Sequence, residues 1–196
     1  MFAFRGRWIG LSAGETVATP VGIRAGSGLA GGTDAPPGAK GGSGIMSTTL
    51  PPTRTELRIG DTASFAKQIT DRDVFEFAFA SGDFNPLHID DEYARRTVFG
   101  RRIAHGILTA GVISSVLGRE LPGVGTIFLE LCIRFVKPVY LGDTITARAT
   151  VSEFINPKRV RLVVSCINQD GCDVAVGSAI VVPPKNTRLI DGNGRL

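Results

Sequence analysis

The segment Gly106–Leu117 limits the possible folds more than any other part of this 196-residue chain. It reads GILTAGVISSVL, apolar nearly all round, with the small residues Ala110, Gly111, Ser114 and Ser115 between the large ones. A surface helix keeps one polar face, and this segment has none, so it predicts a helix buried on several sides. It is about half as long as a bilayer span requires, which excludes a transmembrane helix. After Leu121-Pro122-Gly123 the pattern changes to strands: Thr126–Phe135, Asp143–Phe154, Arg159–Asn168 and Val174–Val182. Gln169-Asp170-Gly171 reads as a hairpin turn before the last of these. One buried helix followed by antiparallel strands implies a single α+β domain whose sheet wraps around that helix. Upstream, Thr70 with Asp73 three residues later marks a helix start. That helix carries Val74, Phe77 and Ala78 on one face and ends at Gly82. The stretch from Asp83 to Arg102 is turn-rich, with one helical turn around Glu92–Arg95.

Composition narrows the function classes. The 22 basic and 18 acidic residues contain no run of five or six cations, which argues against nucleic-acid binding. Three cysteines without C-x-x-C spacing argue against a disulfide framework or a zinc site, and two histidines rule out a His-rich metal centre. No secretory signal is evident, so a cytoplasmic location is the expectation. Residues 1–45 hold 12 of the 25 glycines and read as a low-complexity, disordered segment ahead of the domain. An over-extended start before Met46 and an organellar targeting segment are the competing readings. The folded domain is expected to span 46–184. Pro183-Pro184 stops its last strand, leaving 185–196 as a flexible tail.

Chemistry concentrates in two places. In Ser81-Gly82-Asp83-Phe84-Asn85-Pro86-Leu87-His88, a carboxylate and an imidazole lie five residues apart across a tight turn and can converge on one point. Such a pair suits acid–base work near neutral pH. Turn formation by Asp83 and Asn85, with a structural His88, explains the same residues equally well at this point. The second cluster, Arg102-Ile103-Ala104-His105-Gly106, leads directly into the apolar helix. Free N–H groups at a helix start, with glycine allowing close approach, make an anion-binding or oxyanion site. Ser114 lies two turns further on, either facing that pocket or permitting close packing. His105 is read as ordering the loop.

Together these motifs resemble the MaoC-like family of (R)-specific enoyl-CoA hydratases, which have the hot-dog fold. The resemblance covers roughly residues 55–184. It runs from Phe79–His88 through Ile103–Leu108 and Leu121–Gly123 to Arg134–Val139 and Gly142-Asp143. It implies Asp83 and His88 as the catalytic pair, Gly106 as the oxyanion donor, and Asn85 and Ser114 as supporting site residues. It further implies an acyl-CoA thioester substrate, no separate cofactor or metal, and a homodimer. Asp83 is favoured as the base on the water side and His88 as the acid at C2. Arg134 and Lys137, or Arg101 and Arg102, are the candidate contacts to coenzyme A. Phe79, Phe84, Val112 and Val116 are candidates for the acyl tunnel. A dehydratase acting on carrier-protein thioesters would share this active site, and a non-catalytic hot-dog subunit is a further alternative.

Overall fold

The computed structural model describes residues 54–190. The expectations for residues 1–45 therefore lie outside the described residues. Within them the chain runs β1 (Glu56–Arg58), β2 (Thr62–Gln68), α1 (Asp71–Ser81), α2 (Pro86–Ile89), α3 (Asp91–Arg95) and α4 (Gly106–Arg119). It then continues β3 (Ile127–Phe135), β4 (Thr144–Asn156), β5 (Arg159–Ile167), β6 (Asp173–Val182) and β7 (Arg188–Ile190). Five strands form one antiparallel sheet in the order β2-β4-β5-β6-β3, packed around α4 in the hot-dog arrangement. None of the described helices is long and apolar enough to cross a membrane.

Alternation explains the central strands. Every second residue is buried along β5 and along β4 as far as Val151: Ile145, Ala147, Ala149 and Val151, and Val160, Leu162, Val164 and Cys166. They face Val112, Ile113, Val116 and Leu117 of α4, and these residues form the core. Ala147 and Ala149 are small, which lets the helix approach the sheet closely. Burial pushes the Cys166 thiol up to about 12, so it sits in this core as an apolar group.

Helix α4 is buried on several sides as expected, and Ile107, Gly111, Ser114 and Gly118 form an exposed stripe along it. Two expectations need correction. The tail expected to be flexible over 185–196 is not loose throughout: among its described residues, Arg188–Ile190 form a strand. β7 pairs in parallel with β1, matching Leu57 to Leu189, and both side chains are buried. Thr187 Oγ1 donates to the Arg54 carbonyl at 3.0 Å and completes this clasp. Finally, Val112 and Val116 are core residues rather than tunnel lining, because the helix turns them onto the sheet.

Local signals position the site. Thr70 caps α1 by a reciprocal hydrogen-bonded pair with Asp73, and Gly82 ends it with φ 77, a left-handed conformation suited to glycine. Asn85 caps α2 through Leu87 N–H, with Pro86 at its first position. The chain thus leaves α1, turns sharply, and directs His88 inward.

Candidate active site

His88 is buried, and its Nδ1 lies 2.8 Å from the Ile103 carbonyl. A carbonyl only accepts, so Nδ1 carries the proton and Nε2 remains the free nitrogen. His105, at the N-cap of α4, has Nε2 3.0 Å from the Asp83 carbonyl, so here the proton sits on Nε2. The two imidazoles stack with centroids 3.9 Å apart and planes inclined by 35°. Phe77 covers His105 at 4.9 Å. The ligating atoms of Asp83, His88 and His105 all lie within 4.8 Å of one another. The sequence pairing of Asp83 with His88 is therefore a real juxtaposition in space.

Burial lowers the pKa of His88, and neighbouring His105 lowers it further. The Ile103 carbonyl and Asp83 oppose this without reversing it. At neutral pH the ring is thus a neutral imidazole with a lone pair on Nε2. Two histidines and a carboxylate are a possible metal donor set.

A pocket of ≈ 350 Å³ opens beside His88, walled by Gly106, Thr109, Phe135, Val139 and Val174. Gly106 begins α4, and its N-cap makes no side-chain hydrogen bond, so no capping side chain engages the first-turn N–H groups. Anything larger than glycine would crowd this wall: a Cβ at Gly106 would stand 3.0 Å from the Phe135 ring. Exposed Asp83 stands next to the pocket rather than in its lining. Its Oδ1 accepts from Asn85 N–H at 3.2 Å, so Asn85 shapes the turn on both sides.

Not every expected residue joins this group. Ser114 lies on the exposed stripe of α4, away from the pocket lining, because the helix turns it outward. Phe79 and Phe84 are exposed and pack edge to face with each other at 5.2 Å. Arg102 is not free for a phosphate: it bonds Asp71 at 2.7 Å and Asp91 at 2.9 Å, tying α1 to α3. Arg101 lies over the Tyr140 ring at 4.0 Å. Lys137 lines the pocket and is exposed, whereas exposed Arg134 does not line it. Sequence reasoning missed Thr109, although its spacing of three from Gly106 puts both on one helix face. Val174 and Val139 come from distant segments and carry no local signal.

Residues 55–168 match the family described as MaoC like domain. The chain is 42% identical over 129 residues to an (R)-specific enoyl-CoA hydratase of Rhodospirillum rubrum, covering 66% of this chain and 90% of that one. It is 42% identical over 131 residues to a 3-hydroxybutyryl-CoA dehydratase of Methylorubrum extorquens, covering 66% and 83%. Among solved structures, an (R)-hydratase from Aeromonas caviae involved in PHA biosynthesis superposes with a TM-score of 0.63. That protein is 38% identical, with 65% of this chain and 98% of the other covered. With this fold, this loop and these matches, the chain belongs to the MaoC-like domain family.

Proposed function

We propose that the chain is a hydro-lyase, an (R)-specific enoyl-CoA hydratase. It adds water reversibly across the C2=C3 bond of a trans-2-enoyl-CoA to give a (3R)-hydroxyacyl-CoA. The observation that carries this reading is the His88 ring: neutral, with its Nδ1 proton held by Ile103, and with Nε2 free beside Asp83 at the Gly106 end of the pocket. Relatives with hydratase and dehydratase activity in their names support it.

This geometry supports the opposite assignment of roles to the one favoured from sequence. A ring with a lowered pKa and a free lone pair is suited to accept a proton, so His88 Nε2 is the base on the water side. Water held by Nε2 and the Asp83 carboxylate loses a proton to His88 as its oxygen bonds C3. The C2=C3 electrons move onto the thioester oxygen, which takes the Gly106 N–H. A donor at such a site is worth about 2.7–4 kcal/mol. Asp83 stabilises the imidazolium meanwhile. The enolate then collapses and takes the proton back from the pair at C2, so the enzyme ends in its starting charge state. Coenzyme A enters as part of the substrate, with Lys137 as its cation at the pocket mouth.

Two copies complete the molecule in this reading. The exposed stripe of α4 and the free edge of β3, where Ile127 and Leu129 are exposed, face a second copy of the chain. Loss of the enoyl thioester absorbance, with chiral analysis of the product, tests the activity. Absence of turnover, or a (3S) product, would sink the proposal. A much higher kcat/KM on enoyl thioesters of a carrier protein would move the substrate class to those thioesters.

A further inference from the structure

Two buried polar atoms in the first turn of α4 lack a partner: His105 Nδ1 and Thr109 Oγ1. His105 is 2% exposed and sits between the rings of Phe77 and His88. Its Nε2 is spent on the Asp83 carbonyl, which leaves Nδ1 as a buried lone pair without a donor. An orphan acceptor destabilises a fold, so an apolar side chain would serve packing better here. What the imidazole supplies is a link. The other hydrogen bonds of Asp83 are local in sequence, to Ser81 Oγ at the end of α1 and from Asn85 N–H at the cap of α2. Among the described residues, the His105 bond alone ties Asp83 to α4. His88 is tied separately, through Ile103. Without His105, the carboxylate is held relative to the reacting imidazole only through Asn85, whose N–H donates to Asp83 Oδ1 and whose carbonyl accepts from His88 N–H.

We propose that His105 is a positioning residue for the Asp83–His88 pair. Its Nε2–H anchors Asp83 by the main chain, and its ring face fixes the plane of His88, so that both groups meet one water. This rests on the hydratase reading of the pocket and extends the loop-ordering role read from sequence to a defined act.

The test starts on the unaltered protein. The chain has two histidines, so His88→Gln and His105→Phe assign both ring systems in nitrogen-detected imidazole spectra by elimination. Protonation of His105 on Nε2 and of His88 on Nδ1 is the expected result. A His105 ring protonated on Nδ1 instead would overturn the proposal with no activity measured. Kinetics on a short trans-2-enoyl-CoA follow. His105→Phe keeps a ring and loses the donor, while His105→Gln places an amide donor near the position of Nε2. The expected order of kcat is wild type, then Gln, then Phe. The Phe variant should lose about 10–100-fold, with KM within about twofold. A folded Phe variant with wild-type kcat overturns the proposal, as does a loss carried by KM. Should the Phe variant not fold, His105→Asn, whose amide is too short to reach Asp83, takes its place with the same outcomes. Failure of the hydratase reading looks different: the wild type itself would not turn over, while the tautomers would still stand.

Discussion

Asp83 and His88 lie on one short loop, so their pairing is legible from six consecutive residues. The shape of the pairing is not. The proton on His88 Nδ1 is fixed by the Ile103 carbonyl, a main-chain atom fifteen residues away that no side-chain pattern announces. Asp83→Asn and His88→Gln should each cost about 10²–10⁴-fold in kcat/KM with the fold intact by circular dichroism. In the proposed mechanism both act on one water, so the double variant should be little worse than either single one. Losses that add in log kcat/KM would argue for two independent roles. The lowered pKa of His88 adds a pH dependence of defined sign. The proposed mechanism needs the neutral ring, so the acid limb of kcat/KM should have its midpoint below the ordinary ~6.5. Stability moves the same way: the unfolded chain protonates this histidine first as pH falls. The folded state therefore loses stability from ~6.5 down through the lowered pKa, and His88→Gln should flatten that fall in urea titrations. Charge placement was the least legible part. Arg102 and Lys137 look equivalent in sequence, yet one is held by two carboxylates and the other lines the pocket. Lys137→Ala should raise KM for enoyl-CoA at low salt by several-fold, roughly the worth of one exposed charge contact. The effect should vanish on an enoyl-pantetheine that lacks the nucleotide, and its persistence there would assign Lys137 to the acyl end.

At the scale of elements, length decided what could be read. Strands β3 to β6 have nine to thirteen residues, long enough for alternation to show, and their expected limits agree with the structure within two residues. Strand β2 alternates only between half-buried and exposed positions, with Ser64, Lys67 and Gln68 along it, so its pattern is faint. Strands β1 and β7 have three residues each, too few for any periodicity. What makes them strands is their pairing across most of the chain, Glu56 to Arg188 through Arg58 to Ile190. The two prolines at 183 and 184 do stop β6, but the chain beyond them turns back to the core. Leu57 and Leu189 are thereby buried together with the residues beneath the sheet. Leu189→Ala should destabilise the fold by about 2–5 kcal/mol, read as a lower denaturant midpoint at unchanged slope. A midpoint equal to that of the wild type would mean that the clasp contributes nothing to the folded state. The site should feel this change only through stability, since neither strand contributes a residue to the pocket lining.

For the whole molecule, the informative residues are two glycines that the single chain does not need. Gly111 and Gly118 lie within α4, and a Cβ built on either meets nothing within 4 Å. Neither has a positive φ. A glycine in a helix interior costs about 0.5–1 kcal/mol relative to alanine, so each weakens α4 without relieving any crowding inside this chain. Ser114 lies between them on the same stripe, and Ile107 extends it by one turn. Small residues in a row let another surface come close, and the apolar free edge of β3 supplies further area. Under the proposed pairing, this is why the helix reads as apolar nearly all round in sequence and yet shows an open face in one copy. The wild type should accordingly sediment as a dimer at micromolar concentration. Gly111→Arg and Gly118→Arg should shift it to the monomer, because a long cation on the stripe holds two helices apart and is costly to bury. The helix itself should survive both changes, since arginine is the better helix former and has open space in the single chain. Far-ultraviolet circular dichroism should therefore be unchanged while the sedimentation coefficient falls. A wild type that stays monomeric at these concentrations, or arginine variants that remain dimeric, would place the contact elsewhere and leave the two glycines without a physical reason.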